Sequence, residues 1–141
     1  MAVTSTADAE WKGPLKEGSG HMRFGSGAYD CEFTFASRFE TGKGTNPEEL
    51  LAAAHAGCFS MQLSGLLTGN GTPPRSVRTK ASVTIEAGVG ITTSALETVA
   101  EVPGIDEAKF AELANKAKEI CPVSKALTGI KEITLSATLK A

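Results

Sequence analysis

The chain has 141 residues, 41% of them hydrophobic and 21% charged, with a formal net charge of -2 at pH 7 and an isoelectric point near 5.7. That length supports one ordinary core but not two, which predicts a single domain over residues 1–141. The mild acidity and the alternation of charge sign give no basic field for nucleic acid or an anionic membrane, so neither partner is expected.

The opening "MAVTSTADAEWKG" lacks the apolar core of a secretory signal. No later apolar run approaches the roughly 20 residues of a membrane span, and the expectation is a soluble, cytoplasmic protein. Cysteines at positions 31, 58 and 121 are odd in number and too widely spaced for a secreted disulfide scaffold. Redox chemistry, catalysis or plain packing remain for them.

Up to about Gly20 the chain is rich in glycine, serine and threonine, with Trp11 as its one large apolar anchor. "HMRFGSGAYDCEFTFASRF" reads as β structure, in which Tyr29, Cys31, Phe33 and Phe35 alternate and so share one face. "ETGKGTN" is a loop. The first main helix starts with Asn46 as N-cap, Pro47 at the first helical position and Glu49 placed to reach back to the cap. It should run to about Leu67 and stop in "TGNGTPP". "SVRTKASVTIEA" and "ITTSALETVAEV" are rich in valine, isoleucine and threonine and predict a hairpin through "GVG". A second amphipathic helix covers "IDEAKFAELANKAKEI", with Phe110, Leu113 and Ala117 on one face. "CPVSKAL" restarts a short helix, and "IKEITLSATL" closes the chain as a strand with Ile133, Leu135, Ala137 and Leu139 in alternation. This order of elements predicts an α+β domain with two main helices.

On the first helix Leu51, Ala54, Cys58 and Met61 fall on one stripe, so Cys58 can be read simply as a small core residue. Cys121 precedes Pro122 and would be the N-cap of the short helix, where unpaired N–H groups favour a thiolate; the plainer reading is a thiol that happens to precede a helix. Cys31, between alternating phenylalanines, reads as a packed strand residue. His55 and Cys58, three apart, could form half a metal site or a nucleophile and base. Only His21 and two distant cysteines remain to complete a metal site, so no metal is expected and His55 is read as a helix-face residue.

"RFETGKGTNPEELLAAAHAGCFSMQLS", followed about sixty residues later by "VPGIDEAKF" and "CPVSKAL", closely resembles the osmotically inducible protein C (OsmC) and organic hydroperoxide resistance (Ohr) family, within it the OsmC branch. The likeness runs from about Trp11 to the end. It implies an intertwined α+β homodimer with antiparallel sheets, two active sites at the subunit interface, and a thiol-dependent peroxidase that reduces organic hydroperoxides. By position, Cys58 of "HAGCF" resembles the peroxidatic cysteine and Cys121 of "CPVS" the resolving one. Arg38 of "SRFE" and Glu48 of "NPEE" match the family's arginine and glutamate that activate the thiolate. Without the resemblance they read as a strand-end cation and a first-turn acid. The resemblance implies no bound cofactor, only an external dithiol that reopens the Cys58–Cys121 disulfide, typically a dihydrolipoyl group on a carrier protein.

Glu48 and Cys58 are ten residues apart, roughly 15 Å along a helix axis, and cannot touch within one chain. If both serve one site, the carboxylate comes from a second subunit. Met61, Leu63, Phe39 and Phe59 predict an apolar pocket favouring bulky hydroperoxides over hydrogen peroxide. Two readings compete: a non-enzymatic binder of small hydrophobic ligands or stress protein on the same fold, and a cysteine hydrolase using Cys58 and His55.

Overall fold

A computed structural model describes residues 1–140. The chain divides into two compact units, Met1–Leu50 and a second from Leu51 onward.

In the first unit, β1 (Ala7–Lys12), β2 (Ser19–Phe24) and β3 (Asp30–Phe33) form an antiparallel sheet in the order β1-β2-β3. Trp11 and Phe33 lie 5.3 Å apart between ring centroids and close over Gly20. A Cβ at Gly20 would come within 2.5 Å of the Phe33 ring and 2.7 Å of Trp11, so only glycine lets the aromatic pair seat on β2. The strand expected through Phe35 ends earlier. Thr34 caps a short helix, α1 (Phe35–Phe39), accepting from Ser37 N–H at 3.0 Å while Ser37 Oγ accepts from Thr34 N–H at 2.8 Å. This reciprocal capping turns "TFASRF" out of the extended register and removes Phe35 from the face shared by Cys31 and Phe33.

The next helix, α2 (Pro47–Gly69), starts where its capping residues place it. Asn46 Oδ1 accepts from Glu49 N–H at 2.8 Å. Glu49 does not reach back to the Asn46 backbone; its carboxylate accepts from the Thr45 hydroxyl at 2.8 Å. At 23 residues, with mean hydropathy 1.3 over its most apolar 18-residue window, α2 meets the length and composition of a membrane span, which the sequence reading did not anticipate.

The second unit contains most of α2 with β4 (Ser76–Glu86), β5 (Gly90–Glu101), α3 (Glu107–Ile120), α4 (Pro122–Ala126) and β6 (Glu132–Lys140). β4 and β5 form the expected antiparallel hairpin, turning through Gly88 and Gly90 at φ of 76° and 112°. β6 lies parallel to β5 on its other edge, because the crossover through α3 and α4 brings the chain back in the same direction. The α+β class thus holds, with one parallel pairing among antiparallel ones.

Phe59, Leu63 and Leu67 of α2 pack with Leu96 and Ala100 of β5 and with Phe110, Leu113, Ala114 and Ala117 of α3. The buried stripe of α2 is therefore His55, Phe59, Leu63 and Leu67, a strict four-residue spacing. Leu51 and Cys58 are half-buried, whereas Ala54 and Met61 of the expected stripe face outward. Asp106 caps α3, its Oδ1 accepting from Lys109 N–H at 2.7 Å. Asp106→Ala is expected to cost about 1 kcal/mol, read as a lower urea midpoint with unchanged slope.

Candidate active site

Cys121 ends α3 and begins α4. Pro122 lacks an N–H and disfavours helical geometry in the residue before it; Cys121 accordingly sits at φ -54°, ψ 124°. Its own N–H still closes α3 on Ala117 O at 2.9 Å, and its carbonyl accepts from Lys125 N–H at 3.0 Å. The corner therefore holds the thiol fixed and fully buried. Cys58 reaches it from α2 and is half-buried. The two sulfurs are 2.9 Å apart as free thiols, within less than 1 Å of the roughly 2.05 Å of a disulfide.

The electrostatics of the two thiols differ. Burial and the hydrogen bond shared with Cys121 push the Cys58 thiol up, only partly offset by the Val123 N–H. For Cys121 burial also raises the pKa, but the hydrogen bond with Cys58, the Ser124 N–H and hydroxyl, and the Val123 N–H outweigh it, and the net direction is down. The Cys121 sulfur closes no formal N-cap hydrogen bond, yet these groups at the start of α4 lie near enough to favour its anion.

His55 lies on the buried face of α2. It is fully buried, with Nδ1 2.7 Å from Ser94 Oγ on β5 and Nε2 2.8 Å from Ser124 Oγ on α4. Both ring nitrogens are thus engaged by hydroxyls, and neither is paired with Cys58 as a hydrolase dyad would require. No group of three or more His, Cys, Asp or Glu side chains among the described residues is placed to hold a metal ion. Burial lowers the His55 pKa from its ordinary 6.5. Below that pH the unfolded chain takes up a proton here while the folded chain resists, so the stability from neutral His55 is complete above pH 6.5 and is lost as the pH falls toward the lowered value. The melting temperature of the wild type is expected to drop more between about pH 7 and about pH 5 than that of His55→Phe; parallel drops would refute this.

In the first unit, Arg38 in the last turn of α1 grips Glu48 through two hydrogen bonds, Nη2 to Oε1 at 2.8 Å and Nε to Oε2 at 3.2 Å. The fork geometry suits a guanidinium and a carboxylate. Ser37 and Asn46 brace the pair: Ser37 Oγ donates to Thr45 O at 2.8 Å, and Asn46 Nδ2 donates to Ser37 O at 3.0 Å. Glu48 is buried, and Arg38 is the cation paired with its carboxylate.

Of the residues expected to line an apolar pocket, Phe39 belongs to the first unit and Met61, Leu63 and Phe59 to the second. Leu63 and Phe59 are wholly inside the core, while Met61 is 79% and Phe39 49% exposed. A cavity of about 660 Å³ in the second unit is lined instead by residues including Gly57, Ser60, Val77, Thr79 and Val99, and by neither thiol.

The OsmC-like protein family matches residues 40–136. The chain is 44% identical to peroxiredoxin OsmC of Escherichia coli strain K12, over 99% of both chains. It is 36% identical to an organic hydroperoxide resistance protein of Xanthomonas axonopodis pv. citri, over 67% of this chain and 68% of that one. Among solved structures, the organic hydroperoxide resistance protein OhrB of Bacillus subtilis superposes with a TM-score of 0.63 at 27% identity, covering 96% and 98% of the two chains. An OsmC-like protein from Mycoplasma pneumoniae shares the fold, with a TM-score of 0.77 at 17% identity over the whole of both chains. The fold and the paired thiols are those of an α+β thiol protein. The chain belongs to the OsmC-like family.

Proposed function

We propose that the protein is a peroxidase that reduces organic hydroperoxides to alcohols through Cys58 and Cys121. The observation that carries this reading is the unbonded thiol pair at 2.9 Å, one sulfur half-buried and the other sealed in a helix corner. The relatives named as a peroxiredoxin and as organic hydroperoxide resistance proteins support the same chemistry. The Cys58 thiolate attacks one peroxide oxygen, the O–O bond breaks, and the departing alkoxide takes a proton to leave as the alcohol. Cys58 is then a sulfenic acid. Cys121 attacks its sulfur, the S–O bond breaks, and the hydroxide leaves as water with the Cys121 proton. A dithiol, for which a dihydrolipoyl group is the proposed donor, reduces the resulting disulfide.

A cation beside Cys58 would offset the burial that pushes its thiol up. The Arg38–Glu48 pair of a second copy would supply it, since Glu48 and Cys58 are ten residues apart on α2 and one such pair per site makes a homodimer the working unit. Ala53, Ala54, Gly57, Met61 and Gly65 give α2 an exposed face of small and apolar side chains suited to close approach by that copy. A site shared between two chains in an aqueous compartment fits a cytoplasmic enzyme.

The test is to mix the reduced protein with cumene hydroperoxide and dihydrolipoamide. Sustained peroxide loss, with a Cys58–Cys121 disulfide in the oxidised peptide map, is expected. Peroxide left unconsumed would sink the peroxidase reading and leave a hydrophobic-ligand binder as the alternative.

A further inference from the structure

Two contacts of nearly equal length join α2 to the corner where α3 gives way to α4. His55 Nε2 lies 2.8 Å from Ser124 Oγ, and Cys58 Sγ lies 2.9 Å from Cys121 Sγ. His55 and Cys58 are three residues apart on α2, as Cys121 and Ser124 are across the start of α4, so each of these neighbours stands about one turn from the other on one face. The contacts are therefore adjacent rungs between two segments that run in opposite directions. α4 has only five residues, and Ser124 is its buried one. A helix that short has little stability of its own; its seat rests on the packing of Val123 against the core and on what holds Ser124. What holds Ser124 is a fully buried ring, engaged on its other side by Ser94 Oγ of β5, 2.7 Å from Nδ1. Phe59, Leu63 and Leu67 continue the same stripe of α2 as apolar side chains, and His55 departs from it with a side chain that hydrogen-bonds to α4.

We propose that His55 is a positioning residue for the thiol pair: its bond to Ser124 sets α4, and with it Cys121, in register with Cys58, so that the two sulfurs close a disulfide with little movement. Thiols join more readily the more tightly they are held near bonding distance, because less freedom is lost when the bond forms. Here the sulfurs have less than 1 Å to travel, from 2.9 Å to roughly 2.05 Å. The backbone bonds of the corner, from Cys121 N–H to Ala117 O and from Lys125 N–H to the Cys121 carbonyl, fix its own shape and do not tie it to α2. Core packing does join α3 to α2, but apolar contact is non-directional, whereas a hydrogen bond fixes both a distance and an angle. Without the His55 rung the corner can slide along α2, and the sulfurs spend more time at separations where no bond forms. The use of that disulfide in turnover rests on the peroxidase reading; the register is a property of the folded chain and shows in the disulfide equilibrium alone.

The experiment equilibrates full-length Cys31→Ser protein with glutathione buffers of varied ratio. One glutathione disulfide takes two electrons and two protons from Cys58 and Cys121, whose sulfurs join, and leaves as two glutathione thiols. Exchange begins at the half-buried Cys58, so the reagent never has to reach Cys121. The oxidised fraction is read by mass spectrometry after acid quenching and alkylation of the denatured protein. His55→Phe and Ser124→Ala are each expected to lower the equilibrium constant about tenfold, a potential about 30 mV more positive. The two together should lower it no further than either alone, because they break one rung. Ser94→Ala is the control: it strips a hydrogen bond of similar length from the same buried ring but none from α4. It should lower the urea midpoint as Ser124→Ala does, while its equilibrium constant stays within about twofold of the parent. An unmoved constant in Ser124→Ala, or an equal shift in Ser94→Ala, would overturn the proposal; if His55→Phe fails to fold, the two serine variants decide it. Wild-type peroxide turnover, assayed separately, distinguishes the two failures: shifted constants without turnover refute the peroxidase and keep the register, and turnover without shifts does the reverse.

Discussion

Cys58→Ser is expected to lose cumene hydroperoxide turnover to the uncatalysed background, while Cys121→Ser consumes a single stoichiometric burst and then stalls. The two thiols sit 2.9 Å apart, and acidity alone would give Cys121 the first step, since its pKa is lowered and that of Cys58 raised. Access decides otherwise. Cys121 has no solvent exposure, whereas Cys58 is half-buried and can be approached. A substrate can therefore reach only Cys58 without opening the corner between α3 and α4. In Cys121→Ser the sulfenic acid has no partner and should be trapped by dimedone at Cys58. A burst in Cys58→Ser, or dimedone adducts on Cys121 in the wild type, would reverse the assignment.

Arg38→Met is expected to be the most destabilising change outside the core. Its guanidinium, 35% exposed, is the partner of a carboxylate with 7% exposure at 2.8 Å. Removing one member of a buried pair leaves an uncompensated charge at a cost of about 3–5 kcal/mol. Solvent reaching the arginine side brings the expectation down to about 2–3 kcal/mol. Arg38→Lys keeps the charge but not the fork and should fall between. The informative control is Arg38→Met/Glu48→Leu, which removes both charges and should recover stability relative to Arg38→Met alone. Urea midpoints measure all three; a double variant no more stable than the single would show that the pair carries no coupling. Peroxidase activity should fall in every one of them, including the stable double variant, if the guanidinium serves the reaction.

Much of this was legible from local chemistry. Asn46, Pro47 and Glu49 announced the start of α2, "GVG" the hairpin and Pro122 the helix corner. The sequence reading missed β1, because "ADAEWK" is exposed at almost every position and shows no alternation. It missed α1 because alternating aromatic residues imitate a strand, and because the capping partner of Thr34 is a serine rather than the acid that usually marks such a start. The buried face of α2 was misplaced for a different reason. Alanine, glycine and leucine surround the helix, so hydrophobicity does not choose a side; what chooses is shape, with Phe59, Leu63 and Leu67 filling the space over Leu96 and Ala100. That rotation carries His55 inward, and Ser94 and Ser124 matter only once it does. Their signal in the sequence was slight: a serine at an inward position of "TSALETVA" and a histidine in step with three core residues.

The distance along the chain between the two thiols has a thermodynamic consequence. Joining positions 63 residues apart would deprive the unfolded chain of entropy worth about 4 kcal/mol, and the native sulfurs are already adjacent, so little distortion offsets the gain. Each turnover would then alternate a more and a less unfolding-resistant form of the same molecule. Under a shortage of reductant the population would accumulate in its sturdier form, and the protein would be hardest to degrade when its peroxide load is greatest.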